Sequence, residues 1–192
     1  MKFVLLSLLI LVPSLQARTL AEAAVLQAKT LEAGCIVTGE RVGGEVSFAL
    51  AGRAPEAGDT PSEKIVFEIG SITKVFTGLL LAQAVVEKKV TLETTIGSLF
   101  DSKLKFADPR IAAITLKQLS THTSGLPRLP GNLDAGAAAD DPYAHYDEKR
   151  LLAYLTSAKL EGEGPYSCSY SNLGVGLLGH LLGKVYEMTW EK

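Results

Sequence analysis

The sequence predicts an α+β fold, in which one helix and a β-hairpin come before a longer helical region. Thr19 and Glu22 have the spacing of a capping box at the start of a helical segment. Two strand-like segments flank the Gly43-Gly44 pair, and the segments after Phe67 are helices and turns by their patterns. Because a two-stranded hairpin is not stable alone in water, the fold requires further strands, and no convincing strand follows.

Residues 1–17 have the architecture of a signal peptide. Lys2 supplies one positive charge, an uncharged apolar stretch follows, and a proline precedes the small residue Ala17. Cleavage is predicted after Ala17, which would make the protein secreted or periplasmic. The alternative is a membrane anchor, but the apolar stretch of residues 3–12 is too short to cross a bilayer comfortably. We therefore expect no stable membrane span in the mature chain.

The first elements of the mature chain are a helix and a hairpin. The helix is predicted from about Leu20 to Glu32, with Gly34 as its stop. Residues 35–54 predict two strands joined by a turn at Gly43-Gly44. Residues 54–64 are rich in proline, glycine and acidic side chains, which predicts a loop.

The helical region begins with a long apolar helix. Its end is predicted near Lys88 and Lys89, because cations suit the negative end of a helix dipole. Residues 91–114 predict short turns. Thr115 and Gln118 again have capping-box spacing, which predicts the start of a short helix.

The remaining sequence predicts two more helices separated by loops. The short helix breaks at Gly125 and Pro127. An acidic loop, an amphipathic helix, a polar loop and a final helix reaching the end of the chain are predicted over residues 132–142, 147–159, 162–172 and 173–192.

The composition favours one globular domain, or part of a larger one. The 192 residues are 47% hydrophobic and carry a formal charge of −2. With 19 basic against 21 acidic residues and no basic run, there is no electrostatic case for a nucleic-acid partner. Scattered histidines and single cysteines do not support a metal site. Cys35 and Cys168 could pair in an exported protein, although we expect both to be free.

Ser71 and Lys74 form a candidate catalytic pair. Lys74 is the only ionisable residue between Ile69 and Val86. Positions three apart share one helix face, with Cβ atoms about 5–6 Å apart, so the lysine can reach the serine oxygen. Gly70 places Ser71 at or next to the helix start, where unpaired amides favour negative charge. Apolar surroundings would disfavour the ammonium form, and a neutral amine can take the serine proton.

The S-x-x-K spacing alone is a weak signal. Ser102 and Lys105 have the same spacing within a polar loop, where the lysine is expected to be solvated. For Ser71 and Lys74, the alternative is a serine that caps the helix and a lysine that extends its ammonium group to water.

Tyr170 and Asn172 form a second candidate element just before a helix. A tyrosine hydroxyl near a lysine can relay protons, and an asparagine amide can orient the lysine and hold a substrate amide. The alternative is a tyrosine that packs on the loop and an asparagine that caps the helix.

Together, three stretches resemble the serine β-lactamase and penicillin-binding protein family, in particular its class C-like branch with esterases and D-amino-acid peptidases. The stretches are FEIGSITKVFTG, ITLKQLSTHTSGLP and YSNLGVGLLGHLLG. Their order and flanks agree from about residue 20 to residue 192. The resemblance implies a β-lactamase/transpeptidase-like fold. It also implies an exported serine hydrolase that acts through an acyl-enzyme on an amide or ester carbonyl.

The resemblance gives each matching residue a role. Ser71 would be the nucleophile, and its backbone N–H would be one oxyanion donor. Lys74 would be the base or proton partner, Tyr170 a second acid or base, and Asn172 the residue that binds both Lys74 and substrate. The division of the base role between Lys74 and Tyr170 stays open. The implied substrates are β-lactams, D-amino-acid peptides or simple esters, without a cofactor.

One family element has no match. It consists of Lys or His, then Thr or Ser, then Gly, and residues 173–192 contain no such triplet. Residues 122–125 precede Tyr170 in the sequence, so we expect His122 to be structural rather than catalytic. Residues 18–192 would then be a partial domain, an N-terminal portion without the later sheet strands. Half an oxyanion hole should cost on the order of 10²–10³ in rate, so we expect little or no activity from the chain alone.

Two other interpretations have weaker support. Residues 174–179 fit the G-x-G-x-x-G dinucleotide pattern, but PYSCSYSN is a poor preceding strand, and the glycines more plausibly allow close helix packing. A non-catalytic secreted remnant or binding module of the same fold is the alternative function.

Overall fold

The computed structural model describes residues 19–31, 34–53, 64–139 and 141–189, and the predicted signal peptide lies outside these ranges. The chain divides after Glu68 into an N-terminal unit and a C-terminal helical unit. The helices and strands are α1 (Leu20–Ala28), β1 (Gly34–Val42), β2 (Glu45–Arg53), α2 (Thr73–Val86), α3 (Ile96–Leu99), α4 (Pro109–Ala112), α5 (Leu116–Ser120), α6 (Glu148–Ser157) and α7 (Asn172–Val185).

The predicted capping box starts α1. The Thr19 hydroxyl accepts the Glu22 amide at 3.2 Å, and the Glu22 carboxylate accepts the Thr19 amide at 2.9 Å. The helix ends at Ala28, earlier than the predicted Glu32. The reason is that the amides of Thr30 and Leu31 bond to carbonyls only three residues back, which closes the last turn.

The N-terminal unit contains the predicted hairpin. Strands β1 and β2 pair antiparallel, with Val42 opposite Glu45 and two turn residues between them. Gly43 and Gly44 both have positive φ, at 58° and 95°, which is the requirement of a type I′ hairpin turn. Helix α1 packs on both strands. Within the described residues the sheet has two strands, in keeping with the predicted partial β-lactamase/transpeptidase-like fold.

Helix α7 is the centre of the core of the helical unit. It packs against α2, α3 and α5. Its fully or almost fully buried apolar side chains are Leu173, Val175, Leu177, Leu178, Leu181 and Leu182. Helix α2 buries only Leu81 and Ala84, both in its second half.

Between α2 and α5 the chain forms short elements, as predicted for residues 91–114. Two of these are the single-turn helices α3 and α4. A bridge between Thr95 and Thr115 connects the start of α3 to the start of α5. At α5, Thr115 and Gln118 form the predicted capping box.

Helix α7 ends at Val185 and does not reach the end of the chain. Glu187 follows with a φ of 54°, and the amide of Met188 donates to the carbonyl of Gly183 at 3.0 Å. A left-handed residue with this backward hydrogen bond is a common helix ending, which explains the difference from the prediction.

The loop after α5 requires glycine at position 125. Gly125 has a φ of 76°, and an added Cβ would lie 2.7 Å from the Tyr166 ring. Both the backbone conformation and the space therefore exclude a side chain at this position.

Asp108 and Arg110, at the start of α4, form hydrogen bonds with the loop between α6 and α7. Asp108 is 6% exposed, and its carboxylate accepts hydrogen bonds from the Arg110 guanidinium, at 2.7 Å for the shortest, and from the Leu160 amide at 3.0 Å. The guanidinium also donates to the carbonyls of Leu160 and Gly162, at 2.8 and 2.6 Å. The Arg110 hydrogen bonds, then the Leu160 amide, hold the pKa of the Asp108 carboxyl far below its ordinary value.

Replacing Asp108 by asparagine is expected to destabilise the chain at neutral pH and to have less effect in acid. A depressed folded-state pKa stabilises the fold fully above the unfolded value, near 3.8, and this contribution disappears as the pH falls below it. Urea unfolding of both proteins from pH 7 to pH 2 measures the difference.

The matched control is Glu163→Gln, because Glu163 lies 3.7 Å from the same guanidinium but is 91% exposed. An exposed pair contributes little, so this variant should unfold like the wild type. An Asp108→Asn effect that persisted unchanged at pH 2 would contradict the assignment.

Candidate active site

Ser71 lies in a single 3₁₀ turn, Gly70–Ile72, that leads directly into α2. Gly70 has a φ of 52°, a conformation that glycine adopts without strain. The N-terminal ends of this turn and of α2 have no side-chain cap, so the Ser71 hydroxyl is not used for capping. The structure therefore contradicts the alternative that Ser71 caps the helix.

Lys74 and Ser71 meet as their spacing predicts. The Lys74 Nζ donates to the Ser71 Oγ at 3.3 Å. Ser71 is exposed, and Lys74 is half-buried. The amine therefore reaches the hydroxyl across one turn of backbone.

Tyr170 completes the cluster from a position 99 residues further along the chain. Its phenol oxygen lies 2.6 Å from the Ser71 Oγ, and either hydroxyl can donate the hydrogen bond. The Lys74 Nζ lies 4.9 Å from the centroid of the Tyr170 ring. The structure thus brings together all three of the residues predicted to be catalytic.

The environment of Tyr170 favours its ionised form. The Lys74 amine, followed by the Ser71 hydroxyl, holds the pKa of the Tyr170 phenol below its ordinary value. The positive charges of Lys74 and Arg128 act in the same direction, and the Arg128 guanidinium carbon lies 5.0 Å from the ring centroid. A phenolate here would be close enough to Ser71 to accept its proton.

Asn172 does not make the predicted contact with Lys74. It is the first residue of α7, and its Oδ1 is buried without a hydrogen-bond partner. The Lys74 amine, the predicted partner of Asn172, bonds to Ser71 instead. A role for Asn172 in binding substrate remains a prediction.

The expected apolar enclosure of Lys74 is also wrong. The apolar neighbours of Lys74 on α2, Val75 and Phe76, are 60% and 59% exposed, as is Ile72 at 57%. The reason is that only the second half of α2 packs into the core. The sequence pattern showed apolar side chains but not which of them would be covered.

The second S-x-x-K pair does not form a comparable contact. The Lys105 Nζ lies 3.5 Å from the Ser102 carbonyl oxygen rather than from its hydroxyl, and both residues are exposed. Local context, which distinguished the two pairs in the sequence, distinguishes them in the structure.

His122 and Arg128 lie beside Tyr170, although the sequence predicted only a structural role for His122 and no role for Arg128. The His122 ring centroid is 4.7 Å from that of Tyr170. Both residues belong to the loop between α5 and α6, whose position next to Tyr170 depends on tertiary contacts. The only sequence signal was that His122 lies in the stretch ITLKQLSTHTSGLP, one of those that resemble the family, and that Arg128 follows this stretch directly.

Other predicted features agree with the described part of the chain. Cys35 and Cys168 are free. The glycines of the 174–179 pattern lie inside α7, and no strand precedes this helix between residues 141 and 171. The predicted close helix packing is not seen at these glycines. A Cβ at Gly174 would lie 3.2 Å from the Ser171 hydroxyl that caps the same helix, one at Gly176 would meet nothing within 4 Å, and one at Gly179 would lie at an ordinary 3.9 Å from Thr77 of α2.

The described ranges contain no group of three or more side chains suited to hold a metal ion. In the same ranges, no helix combines the length and the apolar character needed to cross a membrane.

The sequence of this chain is similar to the sequences of several known proteins. The profile of the family described as Beta-lactamase matches residues 28–192. The D-alanyl-D-alanine-carboxypeptidase/endopeptidase AmpH of Escherichia coli K12 is 31% identical over 69% of this chain and 34% of its own length. The putative fimbrial assembly protein FimD, serogroup D, of Dichelobacter nodosus is 34% identical over 65% of this chain and 30% of its own length. The chain thus spans about a third of the curated relatives it matches.

Solved structures show the same fold. The crystal structure of a class C beta-lactamase in complex with cefoxitin aligns with a TM-score of 0.67 and 26% identity. The alignment covers 90% of this chain and 45% of the other. The predicted β-lactamase/transpeptidase-like fold is therefore confirmed for a part of that fold.

Proposed function

Because this chain belongs to the β-lactamase family, we propose that it is an exported serine hydrolase that acts through an acyl-enzyme on an amide or ester carbonyl. The observation that carries the proposal is the position of one hydroxyl between two groups that can take up its proton, the Tyr170 phenol when it is ionised and the Lys74 amine when it is neutral. The Ser71 Oγ lies 2.6 Å from the Tyr170 phenol and 3.3 Å from the Lys74 amine. A serine becomes an effective nucleophile when such a neighbour takes its proton.

In the proposed reaction, the Ser71 oxygen attacks the carbonyl carbon while its proton passes to the Tyr170 phenolate or the Lys74 amine. The backbone N–H of Ser71 stabilises the negative charge that develops on the carbonyl oxygen. The acceptor then returns the proton to the leaving group, and the acyl-enzyme ester is formed. Water, activated by the same acceptor, releases the acyl group and restores Ser71.

The proposed substrates are β-lactams, D-amino-acid peptides or simple esters. The first two are supported by the names of the relatives, a beta-lactamase crystallised with cefoxitin and a D-alanyl-D-alanine carboxypeptidase. In all three classes, attack on the carbonyl gives a tetrahedral intermediate with one negatively charged oxygen. The cluster of Ser71, Lys74 and Tyr170 therefore does not discriminate among these substrates. Asn172 is proposed to bind the substrate amide.

The proposed location is the periplasm or the exterior of the cell, following cleavage after Ala17. Support comes from the composition of residues 1–17, a charged start, an apolar stretch and a small residue at the cleavage position.

Incubation of the 192-residue chain with a fluorescent penicillin, a D-alanyl-D-alanine peptide ester and an aryl ester tests the proposal. We expect a slow covalent adduct with at least one of them, on Ser71, located by mass spectrometry of peptides. Labelling should be slow, because residues 173–192 contain no Lys/His-Thr/Ser-Gly triplet, and the loss of one oxyanion donor costs on the order of 10²–10³ in rate.

The peptide that contains Ser102 and Lys105 is an internal control in the same experiment, since it has the same spacing without the hydroxyl contact. An adduct on Ser102 at the same rate as on Ser71 would overturn the proposed site. No adduct on Ser71 with any probe would favour the non-catalytic alternative.

A further inference from the structure

The loop between α5 and α6 holds the chain on both sides of Tyr170, and one residue of this loop makes both contacts. The amide of Ser169 donates to the backbone carbonyl of His122 at 2.8 Å. The amide of Ser171 donates to the Nδ1 of the His122 ring at 3.1 Å. The two chain neighbours of Tyr170 are therefore bound to the same residue.

The His122 ring also contacts the Tyr170 side chain. The two ring centroids are 4.7 Å apart and the ring planes are tilted by 34°. Contact at this distance restricts the rotation of the phenol about its side-chain bonds. The Tyr170 ring and the backbone amides of both its chain neighbours are thus in contact with His122.

The hydrogen bond to Ser171 fixes the tautomer of His122. A backbone N–H can only donate, so the Nδ1 must be an acceptor, and the proton of a neutral ring lies on Nε2. The bond therefore needs an acceptor in the δ position of residue 122, two bonds from its Cβ.

The backbone of His122 is adapted to this double contact. Its φ is 59°, in the left-handed region that few residues other than glycine adopt, although asparagine, aspartate and histidine do so more often than the rest. A residue held in this region is retained only where its surroundings determine it, and such residues cluster at functional sites.

We infer that His122 is a positioning residue that sets the place of the Tyr170 phenol against the Ser71 hydroxyl. Its hydrogen bonds go to the amides of Ser169 and Ser171, and in the proposed reaction it acts through Tyr170. This inference rests on the proposed function for its catalytic consequence, while the contacts themselves do not depend on it.

Two variants of the 192-residue chain separate the δ acceptor from the backbone conformation. His122→Asn retains both, because asparagine tolerates the left-handed region and its Oδ1 has the same bonded position as Nδ1. His122→Gly retains only the conformation.

We expect the acylation rate of Ser71 at saturating probe to fall on the order of 10- to 100-fold in the glycine variant, since a misplacement of about 1 Å can cost that much. The asparagine variant keeps the δ acceptor but loses the ring contact with Tyr170, so its rate should lie between those of the glycine variant and the wild type. The probe concentration for half-maximal rate should be unchanged in both.

A double variant shows whether His122 acts through Tyr170. In the Tyr170→Phe background, His122→Gly should cause no further loss of rate, because residues that act as a unit are not additive. Losses that multiply would overturn the inference. So would a glycine variant as fast as the wild type, or an asparagine variant as slow as the glycine one.

Hydrogen exchange of the Ser171 amide by NMR gives a readout without activity. Protection should be lost in His122→Gly and kept in His122→Asn, with equal midpoints of thermal unfolding as the check on folding. Equal protection in the two variants overturns the inference. If wild-type Ser71 takes no label while the exchange pattern is as expected, the proposed function fails and the positioning of Tyr170 by His122 stands.

Discussion

Replacing Ser71 by alanine is expected to lower covalent labelling and hydrolysis by a factor on the order of 10⁴ or more, that is, to background. In the proposed reaction the new bond forms on the Ser71 oxygen, and neither Lys74 nor Tyr170 can take its place, because each serves as a proton acceptor. Fluorescence of the labelled chain after electrophoresis, and release of the aryl alcohol from an ester, measure the two effects.

Ser102→Ala is the matched control for this experiment. It removes an identical side chain from the other S-x-x-K pair, where the lysine contacts a carbonyl instead of the hydroxyl. This variant should be labelled at the wild-type rate. Undiminished hydrolysis by Ser71→Ala, with Ser102→Ala unchanged, would remove Ser71 from the mechanism.

Replacing Tyr170 by phenylalanine is expected to lower the acylation rate by about 10²–10⁴, the usual range for the loss of a general acid or base. The phenylalanine ring still contacts His122 and Lys74, so that the packing is kept and only the hydroxyl is lost. Since the pKa of the phenol is below its ordinary value of 10.0, the wild-type rate should rise with pH to a midpoint below pH 10. The Tyr170→Phe rate should lack this rise.

Lys74→Met tests the cause of that shift. Lys74 is the largest contribution to the lowered pKa of Tyr170, so its removal should move the midpoint of the remaining activity toward higher pH. Tyr143→Phe is a matched control, because Tyr143 is an exposed tyrosine at 55%. A Tyr170→Phe variant with the wild-type rate and pH profile would show that Lys74 alone accepts the proton.

The features predicted correctly from the sequence are those that depend on neighbours in the chain. The Thr19 and Thr115 capping boxes and the Ser71–Lys74 contact each join residues three apart, and helical geometry fixes such contacts. The turn at Gly43-Gly44 is equally local. In each case the residue types and spacing contain nearly all of the information.

Contacts between distant parts of the chain were accessible only through the family resemblance, or not at all. The meeting of Tyr170 with Ser71 spans 99 residues, and no periodicity or spacing predicts it. The contacts of His122 with the neighbours of Tyr170 are of the same kind. The predicted enclosure of Lys74 was wrong because burial depends on which helix face is covered, and the α2 pattern is apolar all round. The predicted contact of Lys74 with Asn172 was wrong because the amine bonds to Ser71 instead, while the binding of substrate by Asn172 stays a prediction.

Helix ends were the other source of error. Both α1 and α7 stop earlier than predicted, at Ala28 and Val185. In each case backbone hydrogen bonds that span three or five residues replace the helical span of four and end the helix, while helix-forming residues continue in the sequence. Helix propensity alone does not predict such an ending.

The crowding at Gly125 has a genetic consequence. Every other encoded amino acid adds at least a Cβ, which would meet the Tyr166 ring, on a backbone that L-residues seldom adopt. Missense mutations of this codon are therefore expected to destabilise the loop, whereas changes of its third base still encode glycine and are silent. Position 125, three residues from the histidine beside Tyr170, is thus expected to tolerate silent changes alone.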